Sequence, residues 1–299
     1  MTTEKNTPPP LRKAATIILV REKNKALEVY LLKRSSKSKF MGGLYVFPGG
    51  VVEEDDRGLE AWAPHIDMPT DKIGTLLGGQ GFSPADALGF SIAAIRETLE
   101  EAGVLLADTK NKTQNDFANI ARLRLNKDLP SSWFRTKMIQ ENWTLSFTRL
   151  GRWSHWITPS QMKQRFDTRF FIVFMPEDQT CEPDDRETKH GLWLTPQKAL
   201  EQNLEGQTPL SPPAVVTLTQ ISAFAHLDAL KEEIKTRSWG NPIAPRLLTS
   251  PNGPVIIEPW DPLFDDEINA KELSMEILPP GAPFSRIWCD KGVWKPISQ

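Results

Sequence analysis

The sequence predicts an α/β fold that is not doubly wound, and three observations lead there. Two strand-like runs, "ATIILV" and "LEVYLLKR", open the chain on either side of the charged turn "REKNKA". One long helical pattern, Ser83 to Gly103, follows them, and strand-like segments return only beyond it. No βαβαβ alternation runs through the chain, so a doubly wound sheet is not expected.

The elements follow in order. Met1 to Pro10 is polar, ends in three prolines and reads as a loose tail. After the two strands, "LYVFPGG" is a third short strand ending at Pro48, Gly49 and Gly50. Residues 57–83 have no sustained period and contain the Gly-rich "LLGGQGF", so they read as an inserted loop. Ser83-Pro84, with Asp86 in the first turn, starts the long helix, and Gly103 ends it. Weaker helices are expected around Asp116–Leu125 and Ser131–Gln140. "RFFIVFMP" and "GLWLTP" are strands, the latter leading into the helix "PQKALEQN". From Pro212-Pro213 one long helix is expected through "AVVTLTQISAFAHLDALKEEIK", with proline-rich strands and loops after Ser238. The catalytic unit is thus expected at 11–205, with 206–299 an extension packed upon it.

Composition narrows the class. A formal net charge of −2 gives no basic surface for nucleic acid or membrane. Cys181 and Cys289 are too few for a disulfide framework or a zinc site, which suits a reducing compartment; cytoplasm is the expectation. No apolar run approaches the ~20 residues of a membrane span.

The long helix carries the chemistry. At about 100° per residue, Ile92, Ile95, Leu99 and Ala102 form one apolar stripe, while Glu97, Glu100 and Glu101 gather on another face. Like charges three and four apart cost a helix about 0.2–0.5 kcal/mol per pair. Arg96, four residues before Glu100, relieves part of that. A bound cation explains the remainder, and hard carboxylate oxygens select Mg²⁺ or Mn²⁺. A solvated acidic face is the bland alternative, and the surrounding motif decides against it.

"FPGG", followed by Glu53 and then, much later, by "RETLEEAGV", resembles the Nudix hydrolase signature, in which a glycine and a glutamate precede "REUXEEXGU", with U apolar. Arg96, Glu97, Leu99, Glu100, Glu101, Gly103 and Val104 fill that half completely. The family's earlier glutamate is the departure. Counted from Gly50 it falls on Asp56; counted back from Arg96 it falls on Leu88, which binds no metal. The two counts differ by 32 residues, so the box reads as split by an insertion of about that length. A split box after "FMGGLYVFPGG" and before "RFDTRFFIV" is similar to the branch that includes peroxisomal coenzyme A diphosphatases and bacterial relatives.

The resemblance implies a Nudix α/β/α sandwich with a mixed sheet, a divalent metal, and hydrolysis of a nucleoside diphosphate joined to another moiety, coenzyme A or its esters first. ADP-ribose, a dinucleoside polyphosphate or a nucleotide sugar are the alternatives within the enzyme class; an inactive Nudix-fold binding module is the alternative outside it. It implies Glu97, Glu100 and Glu101 as metal ligands and catalytic groups, Glu53 as a further ligand, and Arg96 as their orienting partner. Gly49 and Gly50 are expected to let the turn approach the glutamate helix and to contribute to substrate binding there. A polyanionic substrate needs counter-charge, and of Lys33, Arg34, Lys37, Lys39, Arg165 and Arg169 the preferred two are Arg34 and Arg169. Glu187 is a lesser candidate for base or ligand. The four histidines and Trp153 and Trp156 read as structural, and no serine or cysteine nucleophile is indicated.

Overall fold

The computed structural model describes residues 8–79, 82–108, 110–184 and 187–299. Most of the expected tail and two residues of the Gly-rich stretch lie outside them. Alternation of apolar side chains makes β1 (Leu11–Lys23) the centre of the main sheet. Ala15, Ile17 and Leu19 enter one core and Ile18 and Val20 the other, all essentially without exposure. The hairpin with β2 (Ala26–Arg34) is present, Val20 opposite Val29.

"LYVFPGG" is two short strands, not one that stops at the glycines. β3 (Tyr45–Val46) pairs with β2, and β4 (Gly49–Val51) crosses to pair with β1, Gly50 opposite Ala15. Pro48, which has no N–H, sits at the switch between them.

The insertion is not a loose loop. It folds into a 3₁₀ turn at Glu54–Asp56, α1 (Leu59–Trp62), a second 3₁₀ turn at Ala63–His65, and α2 (Thr70–Leu76). Trp62, Ile66, Met68, Ile73 and Leu77 are buried in the same core as the long helix. Its apolar residues fill an irregular space, so they follow no single period and the sequence pattern hides them.

The long helix is α3 (Pro84–Ala102). Ser83 Oγ accepts the Asp86 N–H at 3.1 Å, and Gly103, at φ 73°, closes the other end. Ile92, Ile95, Leu99 and Ala102 are fully buried, as the wheel requires. Two further helices, α4 (Gln114–Leu123) and α5 (Trp133–Gln140), complete this side. β5 (Gly151–Ile157) and β6 (Arg165–Phe174) pair antiparallel, and β6 runs parallel to β1. With β7 (Thr188–Leu194) antiparallel to β2, the seven strands form a mixed sheet.

The opposite face is covered by α6 (Pro196–Leu204) and α7 (Pro212–Ile221) through Ala199, Leu200, Ala214, Val215, Leu218 and Ile221. This is the α/β/α sandwich. The single long C-terminal helix is in fact two: α7 stops and α8 (Leu227–Thr236) begins after "SAFAH". The remaining strands, β8 (Arg246–Ser250), β9 (Gly253–Ile257), β10 (Arg286–Asp290) and β11 (Val293–Ile297), form a second, antiparallel sheet. Ile256 and Ile287 bury into the core of the main sandwich, and Asn203 Nδ2 donates to the Trp294 carbonyl at 2.8 Å. No described helix is long and apolar enough to cross a membrane.

Candidate active site

The apolar stripe seats α3 on the sheet and aims its glutamates toward β4. Backbone contact between strand and helix is close enough to depend on glycine. A Cβ on Gly50 would lie 2.3 Å from Glu97 Oε1, and one on Gly49 would lie 2.4 Å from the Ala15 carbonyl. Neither residue has a positive φ; each is needed for clearance, not for a left-handed turn. The Gly49 N–H donates to Glu101 Oε2 at 2.9 Å, so the turn holds a carboxylate directly.

Arg96 is the hub. Its Nε and Nη2 donate to the two oxygens of Asp56, both at 2.9 Å, and Nη2 also reaches the Val51 carbonyl at 2.8 Å. Its Nη1 donates to Glu97 Oε1 at 2.7 Å and Glu100 Oε2 at 2.8 Å. Asp56 is 1% exposed and also accepts the Glu53 N–H at 2.8 Å. Of the two positions competing for the displaced acid, Asp56 therefore supplies the carboxylate, and it grips the arginine. Leu88 is plain core. Burial opposes the Arg96 charge, but Glu97, Asp56 and Glu100 outweigh it and raise its pKa.

The three glutamates sit differently. Burial, with Glu100 adding to it, pushes the Glu97 carboxyl up to about 7 against the pull of Arg96. Glu101 is raised well above the usual carboxylate range by burial and by Glu97, with Arg34 and the Gly49 N–H pulling the other way. Glu100 is raised by burial, and the Glu53 charge acts on it as well. Both Glu100 oxygens are engaged, since Oε1 accepts the Trp133 Nε1–H at 2.8 Å. Trp133 comes from α5, and no spacing in the sequence connects it to Glu100. Arg124 was likewise not foreseen: its Nη1 donates to the Glu100 carbonyl at 2.7 Å and caps the last turn of α3.

The substrate-side residues divide. Arg34 is brought to the cluster, where its charge acts on Glu101 and its Nη2 lies 3.9 Å from the exposed Glu187 carboxylate. Arg169 is not at the cluster; its guanidinium lies on aromatic rings near the start of α3. Arg165 is tied to the Thr158 and Pro9 carbonyls. His155 pairs with Asp167 at 2.8 Å, His65 Nδ1 lies 3.1 Å from the Trp143 carbonyl, and Trp153 and Trp156 are buried. Both cysteines are free and half-buried, not fully buried.

The donor set fits a hard divalent cation, being carboxylate oxygen throughout, crowded and only partly neutralised by Arg96. It is not a ready-made cage. Among the described residues no three acidic, histidine or cysteine side chains converge on one point, because Glu97 and Glu100 turn to the same Arg96 nitrogen.

A mixed sheet between helical layers, with a glutamate helix docked on a Gly-Gly turn and pinned by an arginine, defines the Nudix class. The family profile described as the NUDT19 Nudix domain matches residues 11–221, and the chain belongs to this family of Nudix hydrolases. Acyl-coenzyme A diphosphatase NUDT19 of Xenopus laevis is 29% identical over 249 residues, covering 71% of this chain and 64% of that relative. This chain thus spans less than two thirds of the frog protein's length. The Homo sapiens protein of the same name is 28% identical over 310 aligned positions, covering 86% of this chain and 79% of its own. A crystal structure of a Nudix hydrolase from Alicyclobacillus acidocaldarius shares the fold, with a TM-score of 0.58 at 23% identity over 78% of this chain and 99% of that one.

Proposed function

We infer that this chain hydrolyses the phosphoanhydride of a nucleoside diphosphate joined to a second moiety, with coenzyme A or acyl-coenzyme A as substrate. The observation that carries the reaction class is the buried, mutually repelling set of Glu97, Glu100 and Glu101, pinned by Arg96 against the Gly49–Gly50 turn. The substrate rests on the likeness to relatives named acyl-coenzyme A diphosphatase.

Glu97, Glu100 and Glu101, with Glu53 beside them, would hold Mg²⁺ or Mn²⁺, which when bound would supply Lewis acidity at the diphosphate and acidify the attacking water. Arg96 touches no substrate; its fork on Asp56 fixes the direction in which it holds Glu97 and Glu100. Trp133 keeps Glu100 in one rotamer. Water's oxygen bonds to one phosphorus, its proton passes to a carboxylate of the cluster, and the anhydride P–O bond breaks to leave a phosphate on each product. Gly49 and Gly50 act by position, since the Gly49 amide is occupied by Glu101. Arg34 balances the substrate's charge at the rim. Two unpaired cysteines suit a cytoplasmic protein.

The test is a hydrolysis screen of the full chain, with and without Mg²⁺ or Mn²⁺, over coenzyme A, an acyl-coenzyme A, ADP-ribose, a dinucleoside polyphosphate and a nucleotide sugar. Product masses should show coenzyme A cleaved to 3′,5′-ADP and 4′-phosphopantetheine. Turnover of ADP-ribose without coenzyme A would reassign the substrate. No metal-dependent turnover of any of them would overturn the reaction class.

A further inference from the structure

Four arginines are buried among the described residues: Arg96, Arg124, Arg169 and Arg286. Arg96 is bound to three carboxylates, Arg124 to the Glu100 and Glu182 carbonyls, and Arg286 to Asp261. Arg169 alone of these has no hydrogen bond or ion pair in the structure. It is 6% exposed, and its buried Nε faces no acceptor. What surrounds it is aromatic: the guanidinium carbon lies 4.2 Å from the centre of Phe82, 5.5 Å from Trp239 and 5.8 Å from Phe90.

Aromatic faces hold a guanidinium flat while leaving its in-plane N–H fork unused. The buried Nε without an acceptor is costly unless something completes it. Asp167 does not. It is near enough to bear on the Arg169 charge, but its Oδ1 is bonded to His155, and Lys13 beside it is paired with Asp86. The cage is also assembled from segments far apart in the chain. Phe82 stands at the end of the insertion and Trp239 in the C-terminal extension. The Trp239 Nε1–H reaches the Leu77 and Gly78 carbonyls of the insertion at 3.1 and 3.0 Å, locking the two additions together.

The site lies at a usable distance from the glutamates. Ala15 is opposite Gly50 on one side and Arg169 on the other, which puts Arg169 two strand spacings, about 10 Å, from the Gly50 turn. Along α3, Phe90 over Arg169 and Glu97 against Gly50 are seven residues apart, again about 10 Å. Both groups are on the α3 face of the sheet.

We propose that Arg169, caged by Phe82, Phe90 and Trp239, is a second anion subsite that takes a phosphomonoester on the nucleoside side of a substrate whose diphosphate lies at Glu97, Glu100 and Glu101. The proposal rests on the diphosphate-hydrolysis reading and makes the insertion and the extension parts of substrate selection. It also separates the two arginines that the sequence left equivalent: Arg34 serves the reacting diphosphate and Arg169 the distal phosphate.

The experiment compares coenzyme A with 3′-dephospho-coenzyme A as substrates of the full chain. Arg169→Met keeps the apolar stem in the cage and removes the fork. Wild type should favour the 3′-phosphorylated substrate in kcat/KM by about tenfold or more, as a hydrogen bond to a charged group allows, and the variant should lose that preference while still cleaving the dephospho form. Equal wild-type rates, or a preference that survives Arg169→Met, overturn the subsite and leave the hydrolase reading intact. Should Arg169→Met fail a thermal-melt check, Arg169→Gln is read in the same way. If wild type cleaves neither substrate, the coenzyme A assignment fails instead, and calorimetric binding of 3′,5′-ADP against 5′-AMP decides the subsite: tighter wild-type binding of the bisphosphate supports it, and equal binding overturns it.

Discussion

Glu97→Gln tests the electrostatics of the candidate site most directly. In the folded chain burial lifts the Glu97 carboxyl from its ordinary 4.5 to about 7. The folded state therefore keeps a proton that the unfolded chain has already lost between those values. Stability must fall as pH rises through that window and level off above it. The shift corresponds to about 3 kcal/mol of destabilisation at pH 8, at 1.36 kcal/mol per pH unit. Replacing the carboxylate by an amide removes this cost but weakens the 2.7 Å bond to Arg96, a loss of about 1 kcal/mol. The metal-free variant should therefore be about 2 kcal/mol more stable than wild type at pH 8, and no more stable near pH 4.5. Urea unfolding at both pH values, in the presence of a chelator, measures it. Saturating Mg²⁺ should then stabilise wild type by about 2.7 kcal/mol at one hundred times its Kd, and the variant by less. A wild type whose stability is flat between pH 4.5 and 8, or a variant that responds to Mg²⁺ equally, would refute the reasoning.

Glu100→Gln and Glu101→Gln should each lower metal-dependent turnover by at least about a hundredfold at saturating Mg²⁺, since each removes a charge from the proposed ligand set; near-wild-type rates in either would remove that residue from the site. Asp56→Ala leaves the 4%-exposed Arg96 without its fork and should destabilise the fold by about 3–5 kcal/mol in denaturant titrations, whereas an exposed ion pair would cost under about 1 kcal/mol. Trp62→Ala empties a fully buried position in the insertion and should cost about 3–5 kcal/mol; a smaller loss would mean that the insertion is dispensable to the core. By the same reasoning, excising residues 57–80 for a short linker should expose the α3 core and abolish the cooperative melt, where a plain loop would tolerate deletion.

Sequence alone determined what depends on neighbours along the chain. The α3 helix was legible because its cap, stripe and terminal glycine act within a few residues of one another. The Glu97, Glu100 and Glu101 face followed from helical geometry, and the hairpin of β1 and β2 from alternation. Only tertiary structure decided the rest, because it depends on residues that meet across long separations. Asp56 and Arg96 are 40 positions apart, and nothing local distinguishes Asp56 from its acidic neighbours Glu54 and Asp55 until the fold buries it. Trp133 reaches Glu100 across 33 positions, from a helix whose apolar period is weak. The insertion read as loop because an irregular filler obeys no period, and the broken α7–α8 helix read as continuous because an apolar run does not reveal where its packing surface turns. Arg34, beside "FMGG", and Arg169, beside "FDT", were equal on paper as cations near the motif; a place beside carboxylates for one and burial among aromatic rings for the other is a property of the folded sheet, and it is what separates them.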